Sequence, residues 1–257
     1  MYFLEQSLIQ TTTQLDVPVN TLLAANLLTR DETRQYFTSN YNSDSLTASI
    51  TMSFDVTTTV SCLAMLEMNL KSFNVFYNGA TANSLALVSG SDTTTANYTG
   101  NAEKSKFLEF TEIHCTSITI DMRGTFVADS EKALGYLVPT VKLLDFDRIP
   151  SYRDYKPVRK SEEVVHKLSN GGTRINVKDK KFNVDVKLKY ITETFKQQLN
   201  AIHTQKDEFM YVAFPRTTDW DEIFFPCVWE GSFDFENYSS NAEEAGFEGV
   251  MKLRETP

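Results

Sequence analysis

Along residues 45–56 apolar and polar positions alternate. Leu46, Ala48, Ile50, Met52, Phe54 and Val56 fall on one parity, with Thr, Ser and Asp between them. Period two marks a strand with one buried face. The pattern returns over 115–122, where Ile118 and Ile120 share a face, and over 181–190, where Phe182, Val184, Val186, Leu188 and Tyr190 do. Asn78-Gly79 closes the apolar run 73–77, and Asn170-Gly171-Gly172 precedes a further strand. Both are turn chemistry, because Asn and Gly accept positive φ. Many short strands separated by such turns predict an all-β sandwich.

One segment keeps a different period. Ile191, Phe195, Leu199 and Ile202 are spaced four, four and three apart, which predicts a helix over 192–206. Thr192 suits its N-cap and Glu193 its positive first turn. A strand runs into this helix and another follows at 209–214, so the second half reads as a β-sandwich or barrel carrying one helix. Trp229 lies in the run Phe225-Pro226-Cys227-Val228-Trp229, a further strand, and is expected in a core. Residues 148–158 hold Pro150 and Pro157 and read as a linker or edge segment, because proline lacks the donor a central strand needs.

The 257 residues are 41% hydrophobic, enough to bury a core and long enough for one large domain or two ordinary ones. Basic residues number 25 and acidic 34, a net charge of −9 that argues against a general nucleic-acid-binding surface. No apolar run reaches the roughly 18 residues of a spanning helix, so no membrane insertion is expected. The start, Met1-Tyr2-Phe3-Leu4-Glu5-Gln6, lacks the basic residues and long apolar run of a secretory signal. Cys62, Cys115 and Cys227 are odd in number and far apart, and are expected as buried free thiols of a chain made in the cytosol.

Charge is unevenly placed. Residues 152–196 hold 12 basic and 6 acidic residues, and residues 207–257 hold 3 and 12. Two solvated faces that pair within the domain account for this. A head-to-tail interface accounts for it as well, the basic patch of one copy meeting the acidic patch of the next and closing a ring. The residues that would form it are Lys178, Lys180 and Lys181 on one side and Glu243 and Glu244 on the other.

Catalytic patterns are sparse. Gly171-Gly172 lacks the Lys-Ser/Thr of a phosphate loop, and Ser89-Gly90-Ser91 lacks the frame of a nucleophile elbow. His114, His166 and His203 are isolated, without metal-ligand spacing. Asp145-Phe146-Asp147 and Asp219-Trp220-Asp221-Glu222 offer the paired acids of glycoside hydrolysis or an oxygen site for Ca²⁺, but they read as a strand end and a loop. The expectation is therefore no catalytic residue, no cofactor and no metal. Trp220, Trp229, Tyr36, Phe37, Tyr41 and Tyr98 are the aromatics able to stack on a sugar ring. Tyr36, Tyr41 and Tyr98 fall in polar, loop-like sequence and are the candidate ligand-facing residues.

Several segments follow one another in a telling order. Asn26-Leu27-Leu28-Thr29-Arg30 opens, then Tyr36-Phe37-Thr38-Ser39, the strand 46–56, residues 62–70 ending in Asn69-Leu70, and residues 72–79. Lys132-Ala133-Leu134-Gly135-Tyr136-Leu137 closes the series. Together they resemble the discoidin-like, galactose-binding jelly-roll domains, over nearly half of the chain. Residues 152–257 are marked by Gly171-Gly172, the strand 181–190, the helix, the strand 209–214 and Trp229-Glu230-Gly231-Ser232-Phe233-Asp234-Phe235. That half looks like tail-associated proteins of bacteriophages, in which a β-sandwich with one helix, related to the tail-tube fold, builds rings at the tail tip. Members of that group usually place the tube-like domain first, whereas here it comes last.

These resemblances imply a mainly β fold. A discoidin-like jelly roll would occupy 16–150, and a tail-tube-like β-sandwich with helix 192–206 would occupy 151–257, completed by a strand from 1–15 if that segment returns to it. The function implied is a structural virion protein of a phage tail tip or baseplate, not an enzyme, made in the host bacterial cytoplasm and located in the virion tail. Its partners would be itself, as a homo-oligomer or ring, and other tail proteins. The alternative is a carbohydrate-binding module for host-surface recognition, with a host glycan as ligand. A glycan-active enzyme using the acidic clusters is a third class.

Overall fold

A computed structural model describes residues 2–5, 12–28, 34–79, 83–88, 95–146, 155–167, 172–205, 208–212, 224–237 and 246–256. The protein is mainly β, as the alternating patterns predict, and its chain divides into two compact units.

One unit is built chiefly from Leu4–Leu143. Its strands are β2 (Thr12–Asp16), β3 (Tyr36–Phe37), β4 (Ala48–Leu66), β5 (Phe73–Tyr77), β6 (Asn97–Tyr98), β7 (Lys106–Met122), β8 (Ala133–Leu134) and β9 (Tyr136–Thr140), with a 3-10 helix over Thr21–Leu28. A six-stranded sheet runs β2-β4-β7-β5-β6 with β9 on β4, and β3 pairs with β8 as a separate small sheet. The long antiparallel pair β4 and β7 brings Ile50 opposite Ile120 and Met52 opposite Ile118. These four side chains are fully buried with Phe73, Val75 and Leu137 in one apolar cluster.

Here the predicted alternation holds from Ala48 to Phe54 and fails at both ends. Leu46 lies before the strand and is 46% exposed, and Val56 is 69% exposed. The ladder register shifts between Ser53 and Thr58, so a bulge breaks the pleat and releases Val56 from the buried face. Asn78 and Gly79 both have positive φ, and the Asn78 side chain accepts the Thr116 N–H at 2.9 Å, which fixes the turn after β5.

The other unit takes Leu144–Ala213 and Phe224–Pro257 with Met1–Phe3. Its strands are β11 (Tyr155–Lys167), β12 (Thr173–Ile191), β13 (Phe209–Val212), β14 (Phe224–Glu230), β15 (Phe235–Asn237) and β16 (Phe247–Glu255). β1 (Tyr2–Glu5) and β10 (Lys142–Asp145) complete an eight-stranded sheet, in the order β10-β1-β13-β14-β16-β12-β11 with β15 on β16. Of the two N-terminal strands, β1 joins this sheet, while β2 pairs with β4. One division between the units falls at 143/144 in the sequence.

Phe182, Val184, Val186 and Leu188 are buried as their parity predicts, whereas Tyr190 is 43% exposed. Tyr190 has φ +59°, and the β12–β16 register shifts between Leu188 and Ile191, so the strand turns out of its pleat there. The helix α1 (Glu193–Gln205) follows. Thr192 Oγ1 accepts the Phe195 N–H at 3.1 Å and caps it. Phe195 and Leu199 are buried, and Phe146 meets Phe195 edge-on at 5.4 Å. Burial of each such side chain contributes about 1.5–3 kcal/mol. Among the described residues no helix is long and apolar enough to cross a membrane.

Candidate functional site

The short strand β3 decides which aromatic reaches the surface. It pairs Tyr36 with Leu134 and Phe37 with Ala133 of β8. Successive strand residues point to opposite faces, so Tyr36 and Thr38 go inward and Phe37 goes out. Tyr36 and Thr38 are fully buried, and Phe37 is 38% exposed. The Tyr36 hydroxyl donates to the Val19 carbonyl at 2.8 Å. Burial pushes the phenol up to about 12, with the hydrogen bond to Val19 opposing and Tyr41 adding slightly. The Phe37 carbonyl accepts from Asn20 Nδ2 at 2.7 Å, and the Thr38 N–H donates to the Lys132 carbonyl at 3.0 Å. The backbone under Phe37 is therefore fixed on both sides.

Phe37 stands at a cavity of about 430 Å³ lined also by Gln35, Glu67, Met68, Asn69, Lys104, Ser105 and Ala133. The segment after β4 supplies its floor. The Glu67 N–H donates to Ser105 Oγ at 3.3 Å and the Met68 N–H to the Lys104 carbonyl at 2.7 Å. Asn69 spends its amide on structure: Nδ2 donates to the Glu131 carbonyl at 2.7 Å, and Oδ1 accepts the Ala133 N–H at 2.8 Å. Gln35 Nε2 donates to Glu67 Oε2 at 3.1 Å. Lys104 is exposed and makes no ion pair with another described residue. The cavity thus offers an exposed aromatic ring, a carboxylate and an ammonium. That combination accepts a small polar ring with one apolar face.

Of the three expected ligand-facing tyrosines, two are buried and one is half-buried. Tyr36 is in the core. Tyr98 is 4% exposed, stacked on Phe73 at 4.7 Å, with Lys106 Nζ 5.1 Å above its ring. Tyr41 is half-buried against the same apolar cluster. Neither Tyr36 nor Tyr98 presents a ring to solvent, because each occupies the inward parity of its strand. Phe37 and Glu67 do line a cavity. The sequence signal for Phe37 was its adjacency to Tyr36, since two neighbours on one strand cannot both face out. Glu67 carried no signal in the sequence.

The expected assembly residues are placed only in part. Lys180 pairs with Ser161 and Lys181 with Lys160 across β11 and β12, and Lys178 lies on β12. Lys181 is half-buried. Glu243 and Glu244 lie outside the described residues, as do Asp147 and Asp219-Trp220-Asp221-Glu222. Asp145 is exposed at the end of β10. His114 Nδ1 is 3.0 Å from Thr59 Oγ1, His203 Nε2 is 3.0 Å from the Gly231 carbonyl, and His166 is exposed on β11. Among the described residues no group of three or more His, Cys, Asp or Glu side chains is placed to hold a metal.

A second cavity of about 430 Å³ lies in the other unit, lined by Lys187, Glu230, Ser232, Asp234, Glu248 and Lys252 among others. Its charges largely face one another: Lys187 is 3.8 Å from Glu248, and Arg254 is 2.9 Å from Glu230. The nearby aromatics turn inward together. Trp229 is half-buried, meeting His203 at 5.2 Å and Phe233 at 5.8 Å. The Phe37 cavity is the better ligand candidate, because it combines an outward ring with polar groups that have capacity to spare.

No family model and no curated protein matches the chain. Among solved structures it is similar to a chitosan-binding module 1 derived from a chitosanase/glucanase of Paenibacillus sp. IK-5, at 10% identity and a TM-score of 0.39, over 55% of this chain and 100% of that one. It is similar to chitosan-binding module 2 of the same enzyme, in complex with chitotriose, at 11% identity and a TM-score of 0.38, over 51% and 98%. A pectin-binding carbohydrate-binding module shows 14% identity and a TM-score of 0.36, over 50% and 89%. Each is a likeness of about half of the chain, and no ligand is assigned from it.

Proposed function

We propose that this chain is a carbohydrate-binding protein and that the cavity beside Phe37 is its sugar site. The observation that carries the reading is the outward Phe37 ring, held on a pinned backbone at the edge of a cavity containing Glu67 and Lys104. A pyranose has an apolar face that packs on such a ring and hydroxyls that pair with the groups beside it. Binding of the wild type and of Phe37→Ala to an array of host-surface and polysaccharide glycans tests it. The expected result is selective binding that weakens about tenfold or more on loss of the ring. Equal binding by both proteins, or none by the wild type, overturns the reading.

A second reading is an assembly subunit that meets further copies of itself, the role expected of a tail or baseplate protein of a bacterial virus; a separate observation supports the self-assembly part. β11 is an edge of the eight-stranded sheet, and β12 pairs with β16 only from Asn183 onward. Among the described residues, those before Asn183 pair with β11 alone, so a two-stranded ribbon continues beyond the β16 pairing. Such a ribbon gains stability when another strand or copy covers it. The basic segment 152–196 and the acidic segment 207–257 suit a copy-to-copy contact. Solution mass with negative-stain microscopy tests this. Rings or a discrete multimer that dissociates as salt rises support it, and a monomer at high concentration removes self-assembly. The two readings assign different units and are compatible.

A further inference from the structure

The turn that carries Glu67 holds an uncommon conformation. Glu67 has φ +52°, in the left-handed region where a long side chain is costly and Gly or Asn is preferred. The surroundings enforce it from several directions. The Glu67 N–H donates to Ser105 Oγ, its carbonyl accepts the Gly135 N–H at 3.2 Å, and Gln35 Nε2 holds Oε2. Gly135 approaches so closely that a Cβ there would lie 2.8 Å from Glu67 Cβ and 3.4 Å from Oε2. A glycine at position 67 would satisfy the same backbone bonds without the strain. What the glutamate adds is a carboxylate in the cavity beside Phe37. Oε2 is held by Gln35, and Oε1 has no partner among the described residues. Strain kept where a ligand group is presented is the pattern of a preorganised site.

Resting on the glycan reading, we infer that Glu67 is the residue that sets specificity there, and that it selects a neutral sugar by accepting hydrogen bonds from its hydroxyls. A carboxylate is an acceptor only, so it demands donors from the ligand. Hydroxyls, or an ammonium, supply them. Lys104 in the same cavity repels a cationic amino sugar and cancels the net charge of the pair, while Glu67 repels an acidic sugar. A neutral pyranose satisfies all three groups, with hydroxyl protons to Glu67, an oxygen accepting from Lys104 and an apolar face on Phe37.

The test compares the wild type, Glu67→Gln, Glu67→Gly and Phe37→Ala in titrations against a panel of neutral, amino and uronic oligosaccharides at low and high salt, with thermal melts alongside. A neutral ligand is expected for the wild type, with affinity nearly constant as salt rises. Glu67→Gln keeps the shape and one acceptor and is expected to weaken binding on the order of tenfold. Glu67→Gly is expected to lose binding while melting at or above the wild type, an outcome a purely structural residue would not give. Unchanged affinity in Glu67→Gln, with binding still lost in Phe37→Ala, overturns this inference and leaves the glycan site standing. A wild type that prefers charged sugars and loses affinity steeply with salt also overturns it. A wild type that binds no glycan removes both readings.

Discussion

Lys132 buries its ammonium and donates it to the main-chain carbonyl of Tyr41. The same group donates to the Ser43 carbonyl at 3.2 Å, while the backbone of Lys132 is bonded to Thr38. Burial pulls the ammonium below its ordinary value, and the carboxylates of Asp44 and Asp129 pull it back up. The two acids also knit the loops. Asp129 Oδ1 accepts the Asp44 N–H at 3.0 Å, and Asp44 Oδ1 accepts the Thr125 N–H at 3.2 Å. One lysine thus organises the loop that follows β3.

Replacing it tests that role. Lys132→Met fills similar space but leaves two carbonyls without their donor, at a cost of about 1–3 kcal/mol. Urea unfolding should show the loss, with the slope unchanged. Asp44→Asn retains an acceptor for Thr125 and should cost less than Lys132→Met.

Alkaline pH should destabilise the protein through its thiols. Burial raises Cys62 to about 12 and Cys115 to about 11, and it pushes Cys227 well up. A raised folded value means the unfolded chain gives up the proton first. Stability from these groups is therefore complete below about pH 9 and falls as pH rises toward their folded values. Each thiol contributes about 1.4 kcal/mol of loss per pH unit in that window. The lowered Lys132 value acts in the opposite direction, and the raised Tyr36 phenol adds to the loss above about pH 10. Denaturant melts from pH 8 to 11 check the slope, and a Cys62→Ala, Cys115→Ala double variant should flatten most of it. Thiol reagents at neutral pH should react only as fast as the native state opens, since all three cysteines are buried.

Tyr98→Ala separates core from ligand contact. Its ring is stacked on Phe73 and buried, so its removal should cost about 3–5 kcal/mol. At temperatures where the variant remains folded, glycan affinity should match the wild type. Weakened binding in a fully folded Tyr98→Ala protein would return this ring to the ligand site.

Gly135→Ala should disturb the site from below. The added methyl meets Glu67 Cβ at 2.8 Å and the Leu66 carbonyl at 3.3 Å, so the turn must shift. The expected cost is about 1–3 kcal/mol, with weaker glycan binding. Pairing it with Glu67→Gly removes the clash at Cβ and should restore stability without restoring affinity.

Legibility in the sequence followed the length of the pattern. Ile50, Met52, Val184 and Val186 alternate over long runs, so burial of one face was readable, and the stripe of Phe195 and Leu199 after Thr192 marked the helix. The ends of those runs were not readable. Val56 and Tyr190 keep the parity but leave the face, because each sits at a register shift that only the partner strand reveals. The site was harder still. β3 is two residues long, too short to display a period, so which of Tyr36 and Phe37 faces out depends on its pairing with β8. Glu67 is defined by a backbone angle and by Gly135, far along the chain, and neither is visible from composition or spacing.

The position of β4 governs how this unit is made. Residues 62–65 of β4 are held on one side by β7 and on the other by β9, which ends at Thr140. During synthesis this strand leaves the ribosome well before either neighbour. Its apolar half, from Cys62 to Leu66, meets β7 only once the chain has grown past Glu109, and its other edge stays open until the chain has grown past Thr140. Pairings this distant in sequence close slowly. Slowing translation between codons 66 and 140 is therefore expected to lower the soluble yield, and an unchanged yield would show that the open edge is harmless.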